Sequence, residues 1–336
     1  MNQVDIDVVI IGINVEKFLK KCIDSIIGSD YPKEKIHIIY ADGGSKDNSI
    51  SIAESYPGLK IVRVNEDYPT PGKGRNAGYR AGNSKLIQFL DADTILNPNW
   101  FKTAIPYFEK NIKAVCGRRK ELYPVKNLYH KITDIEWNYE YGPCRYFGGE
   151  VLLEREIIEK VNGFDPDLIA GEDPELSYRL RQNGNTILRI DSDMTLHDIN
   201  MSRFGQYYKR AFRTGYAYAE VGLRFRKNNE KMWLRELIRT SLSGLIPIVL
   251  ISTGIIFYYF NLNEIGVLII ILGFIFPFRV LLKAPGYTKK FKISYSLSFL
   301  YCFHLVLNVQ LQFMGVIRYI IGKIFKKPLT NRKLKK

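Results

Sequence analysis

Two aspartates separated by one alanine, Asp91 and Asp93, close the apolar run of LIQFLDADTIL, residues 86–96. Ionised carboxylates at the mouth of a core strand are costly unless a cation compensates them. On an extended strand end, residues two apart point to one side, so both carboxylates would face one ligand. Hard cations such as Mg2+ or Mn2+ take one or two carboxylates and share their remaining positions with phosphate oxygens. A polar turn after a strand is the bland explanation of a lone D-x-D. The apolar run before this one, and a further aspartate at a comparable strand end, favour the cation.

That further aspartate is Asp42, in ADGGSKDNS. It either starts an Asx turn before a helix or accepts hydrogen bonds from a base or ribose at the edge of a sheet. PGKGRNAG, residues 71–78, carries a G-x-G-x-x-A pattern with an aspartate about twenty residues on, as dinucleotide sites do. That pattern must follow its strand directly, and here two prolines intervene. Lys73 and Arg75 therefore read as a loop touching diphosphate oxygens, with a solvated basic loop as the alternative. In GEDPELSYRLRQNG, residues 171–184, Asp173 reads as a helix N-cap with Pro174 at the first helical position and Gly184 closing the helix. Glu172 and Asp173 would also suit the same cleft. His197 lies just past the last strand; a lone histidine is more often structural, but neutral imidazole suits Mn2+ or a diphosphate.

The elements that must hold these residues alternate. DVVIIGIN (7–14), KIHIIYADGGS (35–45), KIVRVN (60–65) and the run at 86–96 read as strands. Helices are expected over 16–27, over KDNSISIAES and near 74–82, and again over 171–184, with a last strand in NTILRIDSD. The stretch 127–141 is ambiguous. Strands alternating with helices predict a mostly parallel α/β sheet, and ligands of such sheets sit beyond the carboxyl ends of the strands. Asp42, Asp91 and Asp93 all stand at such ends.

The chain has 336 residues and a formal net charge of +15, and no Asp or Glu follows Glu264. A basic excess points to nucleic acid, an anionic membrane or a phosphorylated ligand. Here the basic residues flank long apolar stretches, which favours the membrane over nucleic acid. Residues 203–239 mix ten basic residues and many aromatics with three acids, the composition of helices lying among headgroups. Residues 242–260 are uncharged and long enough to span a bilayer, and 265–282 form a second span with Arg279 near its end. The basic loop LLKAPGYTKKFK predicts that it and the N-terminal domain face the cytoplasm. A third stretch, 295–321, either spans or lies bent at the interface, and the basic tail 323–336 follows. The expected organisation is a catalytic domain over 1–200, interfacial helices over 201–240 and a membrane region over 241–322. The start, MNQVDIDVVIIGIN, reads as a first strand rather than a signal peptide. Four cysteines lie far apart without metal-site or disulfide-framework spacing, so they are expected to be reduced.

Taken in order, VVIIGINVEKFLKKCIDSI, ADGGSKDNS, GKGRNAG, FLDADT, GGEVLLERE with NGFD, GEDPELSYRLRQNG, and His197 with KRAFRTG resemble glycosyltransferase family 2 and its GT-A fold. The resemblance covers roughly residues 5–220, and the appended spans resemble the membrane-anchored, non-processive branch. It implies that Asp42 and Asp91 contact the donor nucleoside and that Asp93, with His197, holds Mg2+ or Mn2+ on the diphosphate. Asp173 would be the general base, and Lys73, Arg75, Arg210 and Arg213 would contact phosphate or lipid phosphate. The usual D-G-S-x-D appears as Asp42-Gly43-Gly44-Ser45-Lys46-Asp47. The Q-x-x-R-W signature of processive synthases is absent after Gln206, so polymerisation is not expected.

The resemblance thus implies an inverting, metal-dependent enzyme of the cell membrane. It would move one sugar from a UDP- or GDP-linked donor to a lipid-linked acceptor. A polyprenyl-phosphate glycosyl synthase and a non-catalytic membrane scaffold are the rival readings.

Overall fold

A computed structural model describes residues 3–64, 66 and 69–330. The end of the basic tail, 331–336, lies outside the described residues. The chain divides into two compact units, one within Met1–Ser202 and the other Arg203–Leu329.

The first unit alternates as the apolar runs require. Its elements are β1 (Ile6–Gly12), α1 (Glu16–Ile27), β2 (Ile36–Asp42), α2 (Ser49–Glu54), β3 (Lys60–Arg63), α3 (Pro71–Arg80), β4 (Leu86–Asp91), β5 (Thr94–Leu96) and α4 (Trp100–Ala104). There follow β6 (Ala114–Glu121), α5 (Leu128–Glu136), β7 (Gly142–Pro143), β8 (Val151–Glu154), α6 (Arg155–Lys160), α7 (Glu172–Gln182) and β9 (Ile187–His197). The sheet order is β3-β2-β1-β4-β8-β6-β9-β5, with β7 beside β9. From β3 to β4 every pairing is parallel, and the β1 residues Val8, Val9 and Ile10 are fully buried, as a strand covered on both faces must be. Beyond β4 the sheet is mixed, because β8 runs antiparallel to both β4 and β6 while β6 and β9 are parallel.

Register fixes the acidic positions. At the carboxyl end of β1, Gly12 pairs with Asp42 on one side and Ile11 with Asp91 on the other. The two aspartates therefore flank one strand end, about 10 Å apart by strand spacing.

Four local expectations are corrected. The run 86–96 is not one strand: β4 stops at Asp91, and Thr94 Oγ1 donates to the Asp91 carbonyl at 2.7 Å to close a turn through Ala92 and Asp93. Chain direction then changes, and β5 pairs antiparallel with β9. Lys73 and Arg75 are not on a loop, because α3 begins at Pro71 with Thr70 as its cap. Asp173 is not the N-cap of α7; Gly171 is, at φ 85°, which glycine adopts without penalty, and Asp173 sits in the first turn. His197 is the final residue of β9 rather than a residue beyond it. The ambiguous stretch 127–141 holds α5. Cys116 and Cys144, remote in sequence, meet at 3.9 Å between their sulfurs, and all four cysteines are free.

The second unit is helical: α8 (Phe204–Arg224), α9 (Leu234–Tyr259), α10 (Asn263–Ile275), a 3-10 segment Phe276–Lys283, α11 (Ala284–Phe291) and α12 (Tyr295–Ile324). Three stretches, Leu234–Tyr259, Asn263–Phe291 and Tyr295–Ile324, are long and apolar enough to cross a membrane. α9 and α10 form a hairpin in which Gly254, Gly266 and Gly273 let the backbones approach closely, as small residues do between membrane helices.

Candidate active site

The site grows from the ends of β4, β8 and β9 and the first turn of α7. Asp91 ends β4; Gly149 and Glu150 lead into β8; His197 ends β9; Asp173 opens α7. Gly149 has φ 81°, and a Cβ there would stand 2.8 Å from Arg119 Nη2 and 3.5 Å from an oxygen of both Asp91 and Asp173. The two carboxylates therefore face one small space, and a glycine keeps it open.

Arg75 binds the acidic side of this cradle. From α3, with its side chain 3% exposed, its guanidinium reaches Asp91 at 2.9 Å, Glu172 at 2.8 Å and Asp173 at 3.1 Å. Its helix is held to the NGFD turn by Asn76, whose amide donates to the Phe164 carbonyl and whose oxygen accepts from the Phe164 N–H, both at 2.8 Å. Arg179 anchors α7 to the same turn through the carbonyls of Val161 and Gly163. The base candidate is thus fixed by contacts from α3, the NGFD turn and α7.

On the other side, His197 lies between two carboxylates. Its Nε2 is 3.5 Å from Asp93 Oδ2 and its Nδ1 is 3.6 Å from Glu150 Oε1. Glu150 is fully buried and also accepts from Thr195 Oγ1. Arg119 donates to the Gly148 carbonyl, approaches Glu150 at 3.4 Å and lies over the Trp137 ring, and that ring packs edge-on to His197.

These neighbours set the proton affinities. Burial lifts Asp173 to about 7, with Glu172 and Asp91 adding to the effect and Arg75 opposing it. Burial also raises Asp93, against the pull of His197. Asp91 is held below the usual carboxylate range because Arg75, Arg119 and His197 outweigh its burial. Burial disfavours the His197 cation, but Asp93 and Glu150 prevail and raise its pKa. The cradle thus holds one poised carboxyl, Asp173, beside one firmly ionised carboxylate, Asp91.

The donor set fits a hard divalent ion. Asp91, Glu150 and His197 present ligand atoms within 4.8 Å of one another, and Asp93 adjoins His197. His197 Nδ1 and Glu150 Oε1 are both buried without a hydrogen-bond partner, so the pair is incomplete as a purely structural contact. Oxygen donors with one imidazole suit Mn2+ or Mg2+.

The remaining expected residues lie elsewhere. Asp42 is buried and forms the Asx turn: Oδ2 accepts from the N–H groups of Gly44 and Ser45 at 2.9 and 3.0 Å, and Tyr40 Oη donates to Oδ1 at 3.1 Å. Lys73 pairs with Glu66 at 2.6 Å. Arg210 and Arg213 are on α8, in the second unit. Sequence reasoning missed Glu150, Arg119 and Trp137. Only Glu150 left a signal, as the acid following the glycine pair 148–149.

A parallel half-sheet with aspartates at its carboxyl edge, joined to a mixed half that supplies a buried histidine, with a carboxylate from the first turn of α7 beside them, defines a GT-A nucleotide-diphospho-sugar transferase fold. Known proteins agree. Residues 7–163 match the family described as glycosyl transferase family 2, and 126–203 match one described as the N-terminal domain of galactosyltransferase. Glycosyltransferase AglE of Haloferax volcanii is 22% identical over 226 residues, covering 64% of this chain and 73% of AglE. Probable glycosyltransferase YdaM of Bacillus subtilis is 28% identical over 204 residues, covering 53% of this chain and 47% of YdaM. The match to TarS of Staphylococcus aureus spans 32% of that longer protein.

Among solved structures, mannosyltransferase PcManGT from Pyrobaculum calidifontis, in complex with GDP-Man and Mn2+, superposes with a TM-score of 0.59 at 15% identity, covering 98% of this chain and 89% of that one. S. aureus TarS 1–349 in complex with UDP gives 0.52 at 15% identity, covering 95% and 92%. Residues 7–163 of the chain thus carry a glycosyl transferase family 2 domain.

Proposed function

We propose that this enzyme transfers a single sugar, with inversion, from a UDP- or GDP-linked donor to a hydroxyl of a lipid-linked acceptor at a membrane. The observation that carries the proposal is the facing of Asp173 and Asp91 across Gly149, with the Asp173 pKa lifted to about 7. A carboxyl poised there accepts a proton at neutral pH, and a general base of this kind contributes about 10²–10⁴-fold. A hydroxyl acceptor needs such a base, whereas a lipid phosphate is already anionic. The poise of Asp173 therefore favours the hydroxyl over a polyprenyl phosphate.

Each residue has a role in one displacement. Asp42 and Asp91 flank the end of β1 and take the nucleoside side of the donor. Asp173 removes the acceptor proton as the oxygen attacks the anomeric carbon from the face opposite the diphosphate. Arg75 keeps Asp91 ionised and restrains the rise of the Asp173 pKa. Asp93 and His197 would hold Mn2+ or Mg2+, with Glu150 as a further carboxylate of the donor set. A bound divalent ion would stabilise the charge that develops on the leaving diphosphate. PcManGT, similar in fold, was solved with GDP-Man and Mn2+, which supports both the donor class and the ion. Lys73, Arg210 and Arg213 offer cations to donor or lipid phosphates.

The apolar hairpin of α9 and α10, with the basic residues beside it, supports a multi-pass membrane protein whose catalytic domain faces the cytoplasm. The test is turnover of a panel of nucleotide sugars by the purified full chain with Mn2+ or Mg2+, compared with Asp93→Ala. Undiminished turnover by that variant would reject the metal role.

A further inference from the structure

We propose that α12 does not cross the bilayer but lies within the headgroup layer, across the mouth of the α9–α10 hairpin. Its free apolar face would dip among the acyl chains of an anionic leaflet. This rests on the membrane reading above and concerns the third apolar stretch, which composition leaves open.

The first observation is the companion of α12. α8, with 21 residues, packs parallel to the 30-residue α12. Tyr207 Oη lies 3.0 Å from His304 Nδ1, and the Tyr216 and Tyr319 rings meet at 5.2 Å. Between these points a Cβ on Gly215 would strike the Gln312 backbone, and one on Gly315 would strike that of Phe212. Lys209, Arg210 and Arg213 are therefore level with the middle of α12, and Lys209 and Arg210 are exposed. If α12 spanned, these charges would stand at mid-bilayer, where cationic side chains are costly and rare.

The second observation is where α12 touches the hairpin. Near its midpoint, Gln310 donates to the Ser243 carbonyl, and Phe313 fills the space beside Gly244. Ser243 and Gly244 begin the uncharged stretch of α9, where the chain enters the bilayer. Arg279, whose guanidinium is exposed, also donates to Ser243, marking the same level. The N-terminal half of α12 turns toward the basic loop, where Ser298 bonds the Ala284 carbonyl and Tyr301 packs on Tyr287. Both halves of α12 thus contact residues at the hairpin mouth.

The remaining face of α12 fits a lipid surface. Leu300, Phe303, Leu307, Met314, Ile317 and Ile321 are each more than a third exposed and recur at spacings of three, four and seven, one stripe of a helix. Lys289, Lys290 and Lys292 precede the helix and Lys323, Lys326 and Lys327 end it, a charge pattern that anionic headgroups complement.

The test uses full-length protein in vesicles of phosphatidylcholine and phosphatidylglycerol with brominated acyl chains. Tryptophans are added singly at 300, 307, 314 and 321 and read for quenching depth as the difference from the parent chain, which keeps its native tryptophans. Equal, shallow depths along the stripe are expected; a profile deepest near 307–314 would overturn the proposal, as would absent quenching with cross-linking between copies at 307. Cysteines at 262, 290 and 327 are labelled in parallel with a membrane-impermeant maleimide. Labelling of 290 and 327 from one side and 262 from the other is expected. If 327 sides with 262, this proposal alone fails; if all three label from one side, the membrane-spanning reading fails as well. Retained donor turnover shows that each variant is folded.

Discussion

Arg75 Nη1 lies 3.1 Å from Asp173 Oδ1, and the same guanidinium also reaches Asp91 and Glu172. One buried cation thus governs the ionisation of both carboxylates that border the space at Gly149. Arg75→Met removes the opposing charge, so the Asp173 pKa rises further and Asp91 loses its main stabiliser. The acidic limb of the kcat profile is expected to move to higher pH. An unmoved limb would separate Arg75 from the base.

Asp173→Asn keeps the shape of the cradle and removes the proton acceptor. Transfer to the acceptor is expected to fall about 10²–10⁴-fold, with donor binding by calorimetry preserved. A mild effect with a phosphorylated lipid acceptor would point instead to the polyprenyl-phosphate reading.

The raised Asp173 pKa, about 7, has a consequence for stability and its sign is fixed. The unfolded carboxyl titrates near about 3.9, so between these values the folded chain binds the extra proton. Stability from this group falls as pH rises from about 4 to 7, while the active, ionised form appears over the upper part of the same range. Activity should therefore rise through neutrality as thermal stability declines. Asp173→Asn is expected to unfold at a higher temperature than the parent at pH 8.

Gly149→Ala tests the open space between Asp91 and Asp173. At φ 81°, and with Arg119 and both carboxylates around the new methyl group, the variant should retain nucleoside diphosphate binding and lose turnover of the sugar nucleotide. Unimpaired turnover would place the sugar elsewhere.

A separate device holds the sheet. Asp7, buried at the start of β1, accepts from Ser84 N–H at 2.9 Å, Ser84 Oγ at 2.7 Å and Arg155 at 2.5 Å. Removing one partner of a buried pair costs about 3–5 kcal/mol. Asp7→Ala should thus lower the midpoint of thermal unfolding by about 10 °C without altering the pH profile of the remaining activity.

Much of this was legible because periodicity and chain order are local. The apolar runs within 7–14, 35–45 and 86–96 marked buried strands, and Asp42 and Asp91 at the ends of the latter two marked the carboxyl edge of the sheet. What escaped depended on tertiary partners. The turn at Ala92–Asp93 exists because β5 pairs with β9, more than ninety residues on. Arg75 looked like a surface cation because none of its carboxylate partners is near it in sequence. Arg119 and Trp137 occupy a strand and the end of a short helix with nothing unusual around them, and only the fold brings both to His197. Asp42 could be placed, but its bonding could not: the Asx turn and the ligand role predict the same letters.

The central claim is that residues from β4, β9 and α7 enclose one sugar nucleotide and one divalent ion. Its most direct test is a structure of the full chain with Mn2+ and a non-hydrolysable donor, located by manganese anomalous scattering. The account predicts a single peak bounded by Asp93 and His197, with the donor's anomeric carbon turned toward Asp173. A peak away from these side chains, or a sugar pointing away from Asp173, would contradict it.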